Sequence, residues 1–208
     1  NSLAAVYGWA EMLVRRKDPA TVPRAAFEVL DSAEQAISLI NDLLDLSRLD
    51  EDRLKPVIRD VECGSVVRQA MSRVTPAADG KSVRLMADLP TEVPICRTDP
   101  HRVEQILVNL LGNAIRHTPA GSSVQVDLSE EGRSVVFRIR DEGPGVPPED
   151  LERVFDVYQT KAGEEGKGSG LGLPLSRRLA RLLGGELSAV SHNGGGGCFV
   201  LQLPVSSK

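Results

Sequence analysis

Two asparagines stand four residues apart in the segment Glu104–His117, and both side chains can bind a cation or a phosphate group. The apolar residues of this segment recur at the spacing of an amphipathic helix. Asn109 and Asn113 are therefore predicted on one side of a helix, beside its buried stripe. A carboxamide oxygen can ligate Mg²⁺ while the amide nitrogen donates elsewhere. The alternative is that both side chains only cap or bridge neighbouring backbone, because an unpaired amide is costly to bury.

A carboxylate followed by glycines, Asp141-Glu142-Gly143-Pro144-Gly145, comes directly after a predicted strand. Such a carboxylate can accept a hydrogen bond from an exocyclic amine, and glycines let a flat base approach the backbone closely. Taken alone, the segment could also be an ordinary Gly-Pro turn.

A second glycine-rich segment, Gly168–Leu173, leads into a helix predicted to end near Leu183. The free N–H groups and the dipole of a helix N-terminus bind phosphate, although the turn could also be purely structural. Between Phe155 and this segment the chain has little hydrophobic periodicity, which is typical of a mobile lid. Lys161 or Lys167 could reach triphosphate oxygens from there, or either could simply be solvated.

These three segments, in this order, resemble the N, G1 and G2 boxes of sensor histidine kinases. The resemblance implies an α+β chain in which residues 53–208 form an α/β sandwich of the GHKL (Bergerat) ATPase type. This fold is shared with gyrase, mismatch-repair ATPases and a heat-shock chaperone. ATP and Mg²⁺ are the ligands that the resemblance implies.

The resemblance also implies roles at individual positions. Asp141 matches the residue that recognises adenine N6, and Asn113 matches a magnesium ligand. Asn109 is expected at the catalytic, phosphate end of the site. Arg116 replaces a frequent Lys and keeps its charge, whereas His117 stands where Tyr or His is frequent. The other expected nucleotide-binding positions are Gly143, Gly145, Phe155, Tyr158, Lys161, Gly168, Ser169, Gly170, Leu171, Gly172 and Leu173.

Residues 1–52 are predicted to form a hairpin of two helices, over residues 1–17 and 22–49. The second helix has the apolar spacing of a coiled-coil seam. A hairpin with this much apolar surface needs a partner, and a homodimer that forms a four-helix bundle would bury it. The alternative is that the helices pack onto the following domain. The seam consists of Leu30, Ala33, Ile37, Ile40 and Leu44.

The segment Asn1–Leu13 resembles the end of the H box in the phosphoacceptor domain of the same kinases. On that alignment the phosphoacceptor His lies upstream of Asn1, and Asn1 itself matches a residue that orients water during dephosphorylation. The chain opens on Asn rather than Met, so we expect a fragment of a longer protein. His101, His117 and His192 lie off the hairpin and do not replace the acceptor.

The remaining pattern predicts further elements of the second domain. Gly194–Gly197 is interpreted as a loose turn, although Gly197-Cys198-Phe199 also resembles a third glycine box of the family. Strands are predicted over 56–61, 83–87, 95–97, 124–128, 135–140, 186–190 and 198–203, and helices over 64–74, 99–118 and 173–183.

Composition restricts the partners. The chain has 208 residues, a net charge of -4 and 3% aromatic residues, which argues against nucleic-acid binding. No apolar run is long enough for a membrane span and no signal peptide is visible, so a cytoplasmic fragment without membrane contact is expected. The full-length protein could still be membrane-anchored. The three cysteines have no paired spacing and are interpreted as small buried hydrophobes in a reducing compartment.

The leading hypothesis is an ATP-dependent protein histidine kinase that passes its phosphoryl group to an Asp of a response-regulator receiver domain. A non-catalytic dimeric relay or scaffold with a nucleotide-binding domain is the alternative. An ATPase or serine kinase of the same fold is disfavoured, because such ATPases usually carry a Glu base where Asn109 stands, and a carboxamide cannot act as a base.

Overall fold

The computed structural model describes residues 2–16, 21–157, 170–191 and 195–205, without the side chains of Ser2, Leu3 and Arg16. These residues belong to two compact units. Residues 2–16 and 21–54, with Gly170 and Leu171, belong to the first unit, and residues 55–157, 172–191 and 195–205 to the second.

The first unit contains the predicted helical hairpin. Helix α1 spans Ser2–Arg16 and helix α2 spans Val22–Asp50, with a proline in the first turn of α2. The guanidinium of Arg24 lies 5.8 Å from the ring centre of Trp9, which joins the two helices near their connection. In the described part of the chain, no helix is long and apolar enough to cross a membrane.

Much of the apolar surface of the hairpin is exposed. Four of the five predicted seam residues are exposed: Leu30 by 58%, Ile37 by 59%, Ile40 by 52% and Leu44 by 49%. Burial of such a stripe is the main source of stability for an amphipathic helix in water. The hairpin within one chain therefore leaves an apolar face that a partner could cover.

One carboxyl group on α2 is perturbed. Asp42 is half-buried, and Asp45, which is 8% exposed, lies one turn further along the helix. Burial, together with the smaller effect of the negative charge of Asp45, raises the pKa of Asp42 to about 6.

The second unit is built on a five-stranded mixed sheet in the order β2-β4-β5-β7-β6, in which only β2 and β4 run parallel. A separate antiparallel pair joins β1 and β3. The strands are β1 Arg59–Glu62, β2 Arg84–Asp88, β3 Ile95–Thr98, β4 Ser123–Glu131, β5 Ser134–Asp141, β6 Glu186–Ser191 and β7 Gly197–Pro204.

Three helices complete this unit: α3 Cys63–Gly80, α4 Pro100–His117 and α5 Gly172–Leu182. Helix α4 buries the apolar stripe predicted from its sequence, and it contacts α3, α5, β4 and β5. In the central strands β4 and β5, apolar side chains alternate with polar ones such as Gln125, Arg138 and Arg140. The core therefore lies between the helices and one face of the sheet.

Three elements differ from their predictions by three residues or more. Strand β4 was expected over 124–128 but spans Ser123–Glu131, because its pairing with β5 continues to the turn. Strand β1 was expected over 56–61 but begins at Arg59, because the Val57 N–H donates to Asp99 Oδ2 at 2.9 Å instead of pairing in a sheet. Helix α3 was expected to end at residue 74 but continues through Pro76 to Gly80. Its last turns bury Ala78, which is 1% exposed, and this packing outweighs the hydrogen bond that proline cannot make.

All three cysteines are buried, as the sequence predicted, but two of them are paired, which the expectation of a reducing compartment did not include. Cys63 and Cys96 form a disulfide with 6.4 Å between their Cα atoms, and Cys198 is free and buried. The cause is the register of β1 with β3, which places Val61 opposite Cys96. Cys63 follows directly after β1, and its N–H donates to the carbonyl oxygen of Pro94 at 3.1 Å, which continues the contact with the β3 side by one residue. A sequence separation of 33 residues gave no signal of this contact.

Asp99 joins two parts of the second unit. Its Oδ1 accepts the N–H groups of His101 at 3.0 Å and Arg102 at 3.3 Å, which caps α4.

Asp99→Ala should lower the free energy of unfolding by about 2 kcal/mol. Asp99→Asn should lower it about half as much, because the amide keeps the cap but cannot accept the N–H of Val57. Urea titrations would measure both, and equal stability of the alanine variant and the wild type would refute the cap.

The raised pKa of Asp42 predicts a pH dependence. A carboxyl whose pKa is higher in the folded state contributes stability below its unfolded value of 3.8, and loses this contribution as the pH rises through about 6. Asp42→Asn should therefore stabilise the hairpin by about 1 kcal/mol at about pH 7, after allowance for solvent screening, and have no effect near pH 4. Urea unfolding followed by fluorescence of Trp9, the only tryptophan, measures this; a pH-independent difference would contradict it.

Candidate functional site

The Asp141 carboxylate is held by backbone at the end of β5. Its Oδ1 accepts the N–H of Gly143 at 2.8 Å and the N–H of Gly197 at 3.1 Å. Its Oδ2 has no hydrogen bond with any residue that the structure describes. Because one oxygen is fixed and the other is open, the group can accept a hydrogen bond from an incoming amine.

Glycines make this arrangement possible, since two backbone segments meet here with no room for side chains. A Cβ atom at Gly143 would lie 2.8 Å from the carbonyl oxygen of His117. A Cβ at Gly145 would lie 2.6 Å from the carbonyl oxygen of Gly196. Gly196 has φ of +88°, and a Cβ there would overlap the carbonyl oxygen of Asp141. The turn after β5 and the start of β7 are thus packed together through bare backbone.

The interpretation of Gly194–Gly197 as a loose turn is therefore wrong for its second half. Gly196 packs against the backbone of Asp141, and Gly197 donates a hydrogen bond to its side chain. The resemblance of Gly197-Cys198-Phe199 to a glycine box was the available signal. Gly196 lay outside that box, and only the pairing of β7 with β5 brings it to the site.

The two asparagines of α4 have different surroundings. Asn109 donates from Nδ2 to the hydroxyl of Ser176 at 2.8 Å. A Cβ at Gly172, the first residue of α5, would overlap Oδ1 of the same asparagine. Asn113 is half-buried and makes no hydrogen bond within the described ranges. The first asparagine thus joins α4 to the start of α5, while the second is available to a ligand.

The C-terminal turn of α4 is fixed by a lysine from outside the helix. The ammonium group of Lys81 donates to the carbonyl oxygen of Ile115 at 3.0 Å and to that of Arg116. A cation at a helix C-terminus is favourable because the last carbonyl groups lack helical partners. This contact fixes the backbone of Arg116 next to half-buried His117, whose carbonyl oxygen faces Gly143. Lys81 gave no signal in the sequence.

Phe155 lies in a cluster of rings and charges. The ring of Phe155 contacts the ring of Phe199 edge-on, with 6.3 Å between the ring centres. The guanidinium of Arg177 lies 4.6 Å from the ring centre of Phe155. Arg177 also pairs with Glu152 at 2.7 Å and Glu186 at 2.9 Å. The hydrogen bond to Glu152 is the main reason that the pKa of Arg177 lies above the usual value for arginine. These contacts hold the segment before residue 158 against α5 and β7.

Glu142 anchors the turn after β5 from the other side. Its Oε1 accepts a hydrogen bond of 2.5 Å from the hydroxyl of Ser123, at the start of β4. This bond is the main cause that lowers the pKa of Glu142 below its usual value.

The remaining predicted positions fall into two groups. Gly170 has φ of +66°, Leu171 is buried, and Leu173 is half-buried in the first turn of α5. Asn1, Tyr158, Lys161, Gly168 and Ser169 lie outside the described residues.

Two family models match the chain. Residues 98–207 match the family described as "Histidine kinase-, DNA gyrase B-, and HSP90-like ATPase", which is more than half of the chain. Residues 1–52 match "His Kinase A (phospho-acceptor) domain".

Named relatives agree with these matches. The chain is 32% identical over 184 residues to "Adaptive-response sensory kinase SasA" of a Synechococcus species, covering 86% of this chain and 49% of the relative. It is 33% identical over 190 residues to "Signal transduction histidine-protein kinase AfsQ2" of Streptomyces coelicolor, covering 90% of this chain and 34% of the relative. The chain thus spans about half the length of the first relative and less of the second.

Solved structures share the fold. The full-length ShkA structure in complex with AMPPNP has a TM-score of 0.77 and 25% identity, and the match covers 100% of this chain and 42% of that one. The histidine kinase AdeS of Acinetobacter baumannii has a TM-score of 0.72 at 20% identity, covering 100% and 96%. At 20% identity, the similarity to AdeS shows that the two proteins share a fold and nothing more.

The packing of Gly196 predicts a difference between neighbouring glycines. Gly195 and Gly196 both have positive φ, of +79° and +88°, so alanine at either costs about 1 kcal/mol of backbone strain. A Cβ at Gly195 would meet nothing within 4 Å, whereas one at Gly196 would displace Asp141. Gly196→Ala should lower the free energy of unfolding by about 2 kcal/mol more than Gly195→Ala, and weaken ATP binding about tenfold or more. Denaturation and calorimetry measure this; equal behaviour of the two variants would contradict the packing.

Proposed function

This chain belongs to the sensor histidine kinases, and from that premise we propose that its second unit binds ATP with Mg²⁺ and transfers the γ-phosphoryl group to a histidine of the helical hairpin. The acceptor histidine is the one that the family pattern puts upstream of Asn1. Attack by an imidazole nitrogen forms a bond to the γ-phosphorus, and the bond to the β,γ-bridging oxygen breaks, so that ADP leaves.

The observation that carries the proposal is the half-engaged carboxylate of Asp141. Two backbone N–H groups fix its Oδ1, and Oδ2 has no partner among the described residues. The exocyclic amine of adenine is a donor that fits an open carboxylate oxygen, whereas the carbonyl oxygen of guanine at the equivalent position would be repelled. The bare backbone of Gly143 and Gly145 leaves space for a planar base.

The phosphate end is supported by the junction of α4 with α5. The first turn of α5, at Gly172, has backbone N–H groups without helical acceptors, which together with the helix dipole favour an anion. Asn109 lies against this turn, and Asn113 is one turn away on α4. Both carboxamide oxygens suit Mg²⁺, which when bound would neutralise charge on the phosphate oxygens. The exposed guanidinium of Arg116 lies at the end of the same helix.

The hairpin would act as a dimer. Its exposed apolar stripe on α2 is suited to a second copy of the same hairpin, since two helix pairs together form a four-helix bundle with a closed core. The match of residues 1–52 to a phospho-acceptor domain supports this arrangement. The phosphoryl group would then pass from the histidine to an aspartate of a response-regulator receiver domain.

The test compares wild type and Asp141→Asn. Asparagine can keep the two backbone hydrogen bonds through Oδ1, but it would present an amide donor to the donor of adenine. We therefore expect Mg-dependent ATP binding by the wild type, and at least about 100-fold weaker binding by the variant at unchanged stability. Isothermal calorimetry with and without Mg²⁺ measures both. Unchanged affinity in the variant would refute the adenine assignment.

Transfer of the phosphoryl group to histidine needs a second experiment. A chain extended upstream through the expected histidine should acquire acid-labile label from γ-labelled ATP, while residues 1–208 alone should not. Mg-ATP binding without labelling of the extended chain would replace the kinase by a nucleotide-binding relay or scaffold. Release of inorganic phosphate without labelling would indicate an ATPase instead.

A further inference from the structure

The last turn of α4 has more carbonyl groups than the helix has donors for them. The carbonyl of Ala114 is satisfied, because the N–H of Thr118 donates to it at 2.9 Å. The carbonyl of Ile115 would accept the N–H of the residue four positions later, but that residue is Pro119, which has no N–H. The carbonyl of Arg116 has no helical donor either, because the helix ends one residue later. Two carbonyl oxygens of this turn therefore need donors from outside the helix.

Lys81 supplies these donors. Its ammonium group donates to both carbonyl oxygens, at 3.0 Å to that of Ile115. Among the described residues, no carboxylate forms an ion pair with this ammonium group. The backbone around the lysine is fixed as well, because its N–H donates to the carbonyl oxygen of Ala78 in α3, and the N–H of Gly121 donates to that of Ser82. The lysine is thus held on both sides and can in turn hold the end of α4.

The turn that Lys81 supports lies against the segment that holds Asp141. The carbonyl oxygen of His117 lies so close to Gly143 that a Cβ there would be 2.8 Å from it. The N–H of Gly143 donates to Oδ1 of Asp141 at 2.8 Å. The end of α4 therefore limits the movement of this segment on one side, as the start of β7 does on the other.

We propose that Lys81 is a positioning residue for base recognition, which holds the last turn of α4 against Gly143 and thereby keeps the carboxylate of Asp141 in a fixed orientation. The proposal rests on the proposed function, because it concerns the carboxylate that is assigned there to adenine. A fixed acceptor favours adenine, whose exocyclic amine donates, and rejects guanine, whose carbonyl oxygen is itself an acceptor. Lys81 acts through the backbone of α4 and not through contact with the nucleotide.

Loss of the ammonium group leaves two carbonyl oxygens without donors. The last turn then opens toward water, and its contact with Gly143 loosens. A carboxylate on a looser segment can turn away from the carbonyl oxygen of guanine, so binding of GTP improves relative to binding of ATP. The lost positive charge weakens both nucleotides equally, because they have the same triphosphate. The quantity that reports the role of Lys81 is therefore the ratio of the dissociation constant for GTP to that for ATP.

The matched pair for the experiment is Lys81→Arg and Lys81→Met. Arginine keeps the charge and the N–H donors, whereas methionine keeps an unbranched apolar stem and has neither. The ratio should be about three- to tenfold smaller for the methionine variant, which corresponds to one hydrogen bond, and arginine should keep the wild-type ratio. As a control, Lys55→Met removes a positive charge from an exposed position and should also keep that ratio.

Calorimetry with Mg-ATP, and displacement of bound Mg-ATP by Mg-GTP, give these ratios on the full chain. If the wild type binds Mg-ATP and the methionine variant has the same ratio, even with both affinities lowered, the positioning role is refuted and the proposed function stands. A ratio as low for arginine as for methionine would refute the role of the donors. If the wild type binds no ATP, the proposed function fails, and the inference fails with it.

A second background tests whether Lys81 acts through the carboxylate. In Asp141→Asn chains there is no carboxylate to orient, so Lys81→Met should leave the ratio of the two dissociation constants unchanged. Thermal unfolding of each variant shows that the chains are folded. A change of the ratio that persists without the carboxylate would refute the proposed route.

A measurement without nucleotide tests the support of the last turn directly. The N–H of Thr118, which donates to Ala114, should exchange with solvent at least about threefold faster in Lys81→Met than in the wild type, whereas amides in the middle of α4 should not. Hydrogen exchange followed by NMR measures this residue by residue. Equal exchange at Thr118 in the two proteins would refute the inference, whatever the purine ratio.

Discussion

The second unit depends on a close approach of two backbone segments, the turn after β5 and the start of β7. Gly143 and Gly197 donate to the same oxygen of Asp141, and Gly145 and Gly196 lie so close that neither could carry a side chain. The approach both supplies the hydrogen bonds that fix the carboxylate and leaves its second oxygen open. A rigid acceptor that is already oriented loses little entropy when a ligand binds.

Helix α5 connects the Asp141 region, which is the proposed base site, to the proposed phosphate end. Two consecutive residues point to different partners: Ser176 binds Asn109 of α4, and Arg177 lies over the ring of Phe155. Phe155 in turn contacts Phe199 on β7, two residues after Gly197. A shift of α5 would therefore disturb both the carboxamide and the strand that holds Asp141. Contacts of this kind couple the two ends of a site through packed side chains.

The two units obtain their stability in different ways. The second unit closes its own core between helices and sheet, with residues such as Phe137, Ile139 and Leu110 fully buried. The hairpin of the first unit leaves most of its seam exposed, with Leu30 and Ile37 both more than half accessible. A domain with a complete core can bind its ligand as a monomer, whereas a hairpin with an open apolar face gains stability from association.

The sequence by itself determined the local elements of secondary structure and identified most of the candidate site residues. The periodicity of α4 and its Asp99-Pro100 start predicted the helix and its buried face, because capping and amphipathicity are local properties. The order of the three glycine- and asparagine-containing segments indicated the family, which the comparisons confirm, and it predicted the role of Asp141. Local patterns missed the start of β1 and the end of α3, since a hydrogen bond to Asp99 and the burial of Ala78 are set by distant residues.

Only the tertiary structure decided which groups surround those ligands. The pairing of β5 with β7 brings Gly196 and Gly197 to Asp141, the packing of α4 on α5 gives Asn109 its serine partner, and the register of β1 with β3 joins Cys63 to Cys96. Each of these contacts links residues that are more than 30 positions apart. Such contacts depend on strand register and helix packing, which are properties of the whole fold and leave no local trace in the chain.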